Sequence, residues 1–274
     1  MAEPYRTLTV EHDAGIARVT LSHPPVNLLD AAMLGDLSRL VGELEQDDEI
    51  RVVVVRSADP EFFIAHADLE LIKRLPRDPL PYPTELGFFH ALVERWRTLP
   101  QVTIAQIEGR ARGGGSELAL SLDLRFAAID RTVLSQPEVA IGIIPGGSGT
   151  QRLGRLIGRG RALEAVLGCD DFDAVTAERY GWVNRALPAD EIGPFVDRLA
   201  RRIASFPPDA VRLAKQAVDA AFPSPRDGLL AEAHAFNTTL TDPELDARFD
   251  AALAAGAQTR PGELDLTTLL TDPS

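Results

Sequence analysis

The chain has 274 residues, 45% hydrophobic and 25% charged, which suits a globular protein with a substantial core, built as one large domain or two modest ones. Its 28 Lys and Arg against 41 Asp and Glu leave a formal charge of −13. That balance argues against a nucleic-acid or anionic-membrane surface, and any polyphosphate ligand must find its cations locally. Cys169 is the single cysteine, which excludes an intrachain disulfide and a thiolate metal cluster, and the five histidines lack metal-ligand spacing, so no metal is expected. The opening MAEPYRTLTV lacks the basic-then-apolar order of a signal peptide, and no apolar run approaches ~20 residues. A cytoplasmic protein is the expectation.

Residues 7–10 and 16–21 alternate on either side of Asp13-Ala14-Gly15, the pattern of a hairpin with a short glycine turn. Asp30 then stands as N-cap of a predicted helix with Met33, Leu37, Leu40, Val41 and Leu44 at helical spacing. Residues 52–55 form a continuous valine run, as in a strand covered on both faces. Four prolines within 75–83 exclude helix or central strand and leave a surface loop, a lid or a plain linker. An amphipathic helix over 88–98 leads to a strand over 102–107, and residues 124–129, 133–135 and 181–184 read as further short strands. Helices then follow one another over 192–205, 209–221, 228–240 and 245–255. The expected class is α/β with a helical C-terminal region.

Three places carry chemistry. Between the strand ending at Ile107 and an apolar helical pattern beginning at Leu118 stand Gly113, Gly114 and Gly115. Glycines at such a junction let a ligand approach N–H groups at a helix N-terminus, where partial positive charge suits an anion or a developing oxyanion. The pattern is neither GxGxxG nor a P-loop. Glu117 follows in the first turn, either as a solvated complement to the helix dipole or as a general base facing a bound carbonyl compound. Glu138 is a lone carboxylate in an otherwise neutral, largely apolar run. It is an exposed loop residue or, if buried there, a carboxyl tuned toward acid/base work near neutral pH. In Glu61-Phe62-Phe63-Ile64-Ala65-His66-Ala67-Asp68-Leu69, small residues follow the valine strand, Asp68 suits an N-cap, and a second N–H donor is reasonable there. His66, between alanines, reads as structural or solvent-facing rather than as a base.

Together these segments resemble the crotonase (enoyl-CoA hydratase/isomerase) superfamily. Residues 107–123 are similar to its Gly-Gly-Gly-x-Glu-Leu-Ala…Asp motif, and residues 136–153 to its Gln-Pro-Glu…Ile-Pro-Gly…Gly-Thr-Gln-Arg-Leu motif. Residues 63–69 look like its Phe-x-Ala-Gly-Ala-Asp-Leu segment, and residues 25–29 like its early Asn-Ala-Leu. The resemblance implies a spiral of ββα units over residues 1–200 and a helical region over 201–274 serving oligomerisation and pocket cover. It implies that the N–H groups of Ala67 and Gly114 form an oxyanion hole and that Glu117 and Glu138 are the catalytic glutamates. One would activate water toward the β-carbon and the other handle the α-carbon proton. Val26, Ala65, His66, Asp68, Leu69, Gly113, Pro145 and Gly146 are implied to bind substrate.

The implied activity is hydration of a trans-2-enoyl-CoA, with coenzyme A part of the substrate and no separate cofactor, in a homotrimer or dimer of trimers. Isomerisation, thioester hydrolysis, carbon–carbon cleavage and non-catalytic acyl-CoA binding are the alternatives within the family. His66 stands where the family usually has Gly, and a positive φ there would cost His more than Gly. Glu70, Pro24 and residues 249–256 lack cations that family members use, leaving Lys73, Arg74, Lys215 or Arg260 to meet the CoA phosphates.

Overall fold

The computed structural model describes residues 4–222 and 224–271. Strands β1 (Leu8–Asp13) and β2 (Ile16–Leu21) form the expected antiparallel hairpin, with Asp13 opposite Ile16. The strands that follow are β3 (Val52–Ser57), β4 (Phe62–Ile64), β5 (Val102–Ile107), β6 (Arg110–Arg112), β7 (Leu124–Ala128), β8 (Val133–Ser135), β9 (Phe172–Asp173) and β10 (Arg185–Leu187). Two sheets result, one in the order β1-β2-β3-β5-β7-β10 and a smaller one in the order β4-β6-β8-β9. Each of the pairs β3–β4, β5–β6 and β7–β8 sends one strand to each sheet before the chain enters helix. That repeat is the expected spiral of ββα units.

The helices among the described residues are α1 (Ala31–Leu44), α2 (Leu69–Lys73), α3 (Phe88–Thr98), α4 (Gly114–Ser121), α5 (Gly149–Ile157), α6 (Arg159–Gly168), α7 (Ala174–Tyr180), α8 (Ile192–Ala204), α9 (Pro208–Asp219), α10 (Arg226–Thr239), α11 (Leu245–Ala255), α12 (Arg260–Leu264) and α13 (Leu266–Thr271). Helix α1 starts where Asp30 accepts from the N–H groups of Ala32 and Met33, and it buries all five of the apolar residues at helical spacing. The valine run is covered on both faces. Val53 and Val55 pack with Leu37, Val93 and Trp96 in the main core, while Val52 and Val54 meet Ile192, Val196 and Ala200 of α8. Helix α8 therefore seals the outer face of the large sheet and runs through residue 200, where core and helical region were expected to divide.

Residues 181–184, expected as a strand, are a turn instead. Gly181 ends α7 at φ +85°, and the N–H of Trp182 returns to the Ala177 carbonyl at 2.8 Å. The strand begins one residue later, at Arg185; the apolar Trp182-Val183 pair is buried by the turn rather than by pairing. The loop over 75–83 carries neither helix nor strand, as its prolines require.

Candidate active site

The glycine turn joins β6 to α4, and helix begins at Gly114, four residues ahead of the apolar pattern. Gly113 adopts φ +48° and ψ −123°, which side chains rarely adopt, and a Cβ there would lie 2.7 Å from Glu138 Oε1. Its N–H donates to the Ser135 carbonyl of β8, at 3.0 Å. On the other side, Leu29 pairs with the segment of Ala67: the Leu29 N–H donates to the His66 carbonyl, and the Asp68 N–H to the Leu29 carbonyl. A Cβ placed on Gly114 falls 3.6 Å from Ala67 Cβ, so the two segments meet. Among the described residues the N–H groups of Ala67 and Gly114 have no protein acceptor. Two unpaired donors facing one space can hold an oxyanion. The packing behind them is tight. Gly115→Ala would place Cβ 2.5 Å from the Ile64 carbonyl oxygen, and it is expected to cost at least about 2 kcal/mol in a urea melt.

Both glutamates are buried, Glu117 2% and Glu138 9% exposed. Glu117 lies in the first turn of α4, and its Oε1 accepts the N–H groups of Gly147 and Gly149, each at 2.7 Å. Burial, then the nearby Glu138 and Glu232 carboxylates, raise its pKa well above the usual carboxylate range, against the pull of those two N–H donors. Glu138 opens a short 3-10 turn over Glu138–Ile141, and burial pushes its pKa up to about 8 despite the opposing charge of His66. Two such carboxyls cannot both ionise cheaply. Each is thereby kept protonated above the ordinary carboxylate range, which suits acid/base work.

His66, Ala67, Leu69, Gly113, Gly114 and Glu138 line one narrow cavity of about 40 Å³, closed on its apolar side by residues of α11 and α13. His66 is not at positive φ, so the cost considered for it does not arise. Val26 and Ala65 do not line this cavity and are fully buried, packed with Phe62. Asp68 caps α2 through the Glu70 N–H and also accepts from the Gln258 side chain. Pro145 and Gly146 sit on the Glu117 side, where Gly146 faces the Phe236 ring of α10. Of the candidate cations, Lys215 pairs with Asp123, Arg260 with Asp59 and Glu61, and Lys73 with Asp250. Arg74, exposed just past the end of α2, forms no ion pair among the described residues.

Several residues that hold this site carried no signal in the sequence. Glu232 of α10, fully buried, accepts the N–H groups of Ser148 and Thr150 and a hydrogen bond from His90 Nε2. It thereby fixes the loop whose neighbouring N–H groups reach Glu117. Phe89 of α3 packs beside Gly147 and Gly114. Glu263 of α12 joins His66 Nε2 at 2.8 Å.

The sequence profile described as enoyl-CoA hydratase/isomerase matches residues 11–246. The chain belongs to the enoyl-CoA hydratase/isomerase family. It is 34% identical over 241 residues to the short-chain-enoyl-CoA hydratase of Clostridium acetobutylicum, spanning 87% of this chain and 91% of that one. With the crotonyl-CoA hydratase of Syntrophomonas wolfei it shares 32% identity over 235 residues, 85% of this chain and 89% of the relative. A Streptomyces avermitilis protein assigned to the enoyl-CoA hydratases superposes with a TM-score of 0.91 at 44% identity, covering 97% of this chain and 98% of that structure. As an enzyme of this family the chain uses an acyl-CoA thioester, and none of its described helices is long and apolar enough to cross a membrane.

Proposed function

We propose that this enzyme adds water across the double bond of a trans-2-enoyl-CoA. The reading rests on one arrangement: two unpaired N–H donors, of Ala67 and Gly114, beside two buried carboxyls of raised pKa. The donors take the thioester oxygen and stabilise the enolate that forms when the β-carbon is attacked; each is worth ~3 kcal/mol. Glu117 acts in its ionised form, which the N–H groups of Gly147 and Gly149 favour at its Oε1, and takes a proton from the attacking water. Glu138, protonated near neutral pH, gives its proton to the α-carbon. Hydroxide has then joined the β-carbon and a proton the α-carbon, and proton exchange between the glutamates and solvent restores the start. Both carboxyls being in place favours hydration over double-bond isomerisation, which can proceed with one. Coenzyme A arrives as part of the substrate, and no separate cofactor takes part. Arg74 is the available partner for its phosphates.

Hydration of crotonyl-CoA to 3-hydroxybutyryl-CoA, followed by loss of the conjugated thioester absorbance, tests the reading. An enzyme that isomerises or hydrolyses enoyl-CoA thioesters but hydrates none would overturn it.

The proposed enzyme is a cytoplasmic homotrimer or dimer of trimers. Helix α9 buries none of its residues in the single chain, and Leu213, Val218 and the following Phe222 stand more than half exposed. Apolar surface of that kind marks an association face. Light scattering is expected to return three or six times the 29.7 kDa chain mass; a monomer would refute the assembly.

A further inference from the structure

His66 is the residue at this site that the hydration scheme leaves without a task. It is 7% exposed, lines the same cavity as Glu138, and meets Glu138 at Gly113: a Cβ on that glycine would lie 2.7 Å from Glu138 Oε1 and 3.7 Å from His66 Cβ. Its two ring nitrogens each face an oxygen. Nδ1 lies 2.7 Å from the Ala67 carbonyl, which can only accept, and Nε2 lies 2.8 Å from Glu263 Oε1. That carboxylate oxygen also accepts the Gln258 N–H at 2.8 Å, so it is an acceptor toward both partners and the proton sits on Nε2. With a hydrogen on each nitrogen, the ring is the imidazolium.

The charge is housed rather than incidental. Glu263 is fully buried; Arg112 Nη1 donates to its backbone carbonyl at 2.8 Å and stands 3.8 Å from its Oε2, while the rest of the Arg112 guanidinium forms a bidentate pair with Asp171. The titratable and charged groups around His66 are thus Glu263 on α12, Arg112 on β6 with Asp171 behind it, Glu138 beside Gly113, and Asp68 in its own segment. Burial alone would push the imidazole toward the neutral form, but the Glu263 carboxylate outweighs it and raises the pKa.

We propose that His66 is a positioning residue, a buried imidazolium clamped by Glu263, that sets positive charge beside Glu138 and the Ala67 half of the oxyanion hole and so favours both the Glu138 carboxylate and the enolate. Its link to the enolate rests on the hydration reading; its link to Glu138 does not. The device also ties the site to the C-terminal helices, since α12 supplies the clamp.

The test reads the protonated-carboxyl band of Glu138 by pH-difference infrared spectroscopy of the full chain, with Glu138→Gln identifying the band. In His66→Gln, and in His66→Gly as a smaller replacement, the Glu138 midpoint is expected to move up by about one pH unit. Glu263→Gln should move it the same way, because the unclamped ring loses its charge. On crotonyl-CoA, His66→Gln should lower kcat about tenfold with little change in KM. A Glu138 midpoint that stays put in both His66 variants overturns the proposal whether or not crotonyl-CoA is hydrated. A shifted midpoint in a protein that hydrates nothing upholds the charge coupling and rejects the hydration reading alone.

Discussion

Glu138→Gln is expected to lower kcat for crotonyl-CoA hydration by ~10³-fold while leaving the chain folded and, as pH rises above about 4, harder to unfold. The rate effect follows from the scheme: the amide occupies the same volume but has no proton to give the α-carbon. The stability effect follows from burial. Glu138 titrates near its ordinary value of 4.5 in the unfolded chain and at about 8 in the folded one. Between those values the folded state holds more protons than the unfolded, so stability falls as pH rises through that window. A glutamine is spared the loss. Its advantage should be absent near pH 4, grow through the window and level off above pH 8 at about 5 kcal/mol. Urea melts at several pH values measure it, and an advantage independent of pH would mean that Glu138 is not held protonated by the fold. Glu117→Gln should lower kcat comparably; intact hydration in that variant would end the two-carboxylate scheme.

The second large effect is expected far from the glycine turn in sequence. Glu232→Ala should cost about 3–5 kcal/mol, because it strips a buried carboxylate from the N–H groups of Ser148 and Thr150 and from His90. In a chain of this size that loss lowers Tm by roughly 10 °C. It should also reduce kcat, since the loop that Glu232 anchors supplies the N–H groups of Gly147 and Gly149 to Glu117. Glu232→Gln separates the effects. It keeps the side chain's shape but removes a charge that raises the pKa of both Glu117 and Glu138, so the pH profile should move to lower pH. Thermal melts and kinetics on the two variants check this. Unchanged kcat in a destabilised Glu232→Ala would show that the loop holds Glu117 without it.

The glycine turn could be read from the chain because its requirements are local. A positive φ at Gly113 and close approach of Gly115 to the Ile64 carbonyl demand glycine whatever surrounds them. The first helix and the strand after it could be read for the same reason: Asp30 as a cap and the valine run as a doubly covered strand each express one local rule. Reading failed where burial imitates pairing, as at Trp182-Val183, which is apolar because a turn tucks it into the core.

Glu138 shows where local reading stops. Its neighbours were compatible with an exposed loop or a buried acid, and only the closure of α11 and α13 over the cavity decided for burial. The partners that tune the site lie farther away still. His66 and Glu263 are separated by 197 residues, and His90 and Glu232 by 142, with nothing in either segment that names the other.

By itself the sequence determined the glycine turn, the capped first helix and the doubly covered strand, because turn chemistry, side-chain alternation and helix capping act over a few residues; the spiral, the two backbone donors and the roles of the glutamates came from its resemblance to the crotonase superfamily. Only the tertiary structure decided that the glutamates are buried, that Glu232 returns from α10 to anchor the loop beside Glu117, and that Glu263 returns from α12 to meet His66. Burial and charge depend on which distant surfaces meet, and a carboxylate acquires its acidity from that meeting rather than from its neighbours in the chain.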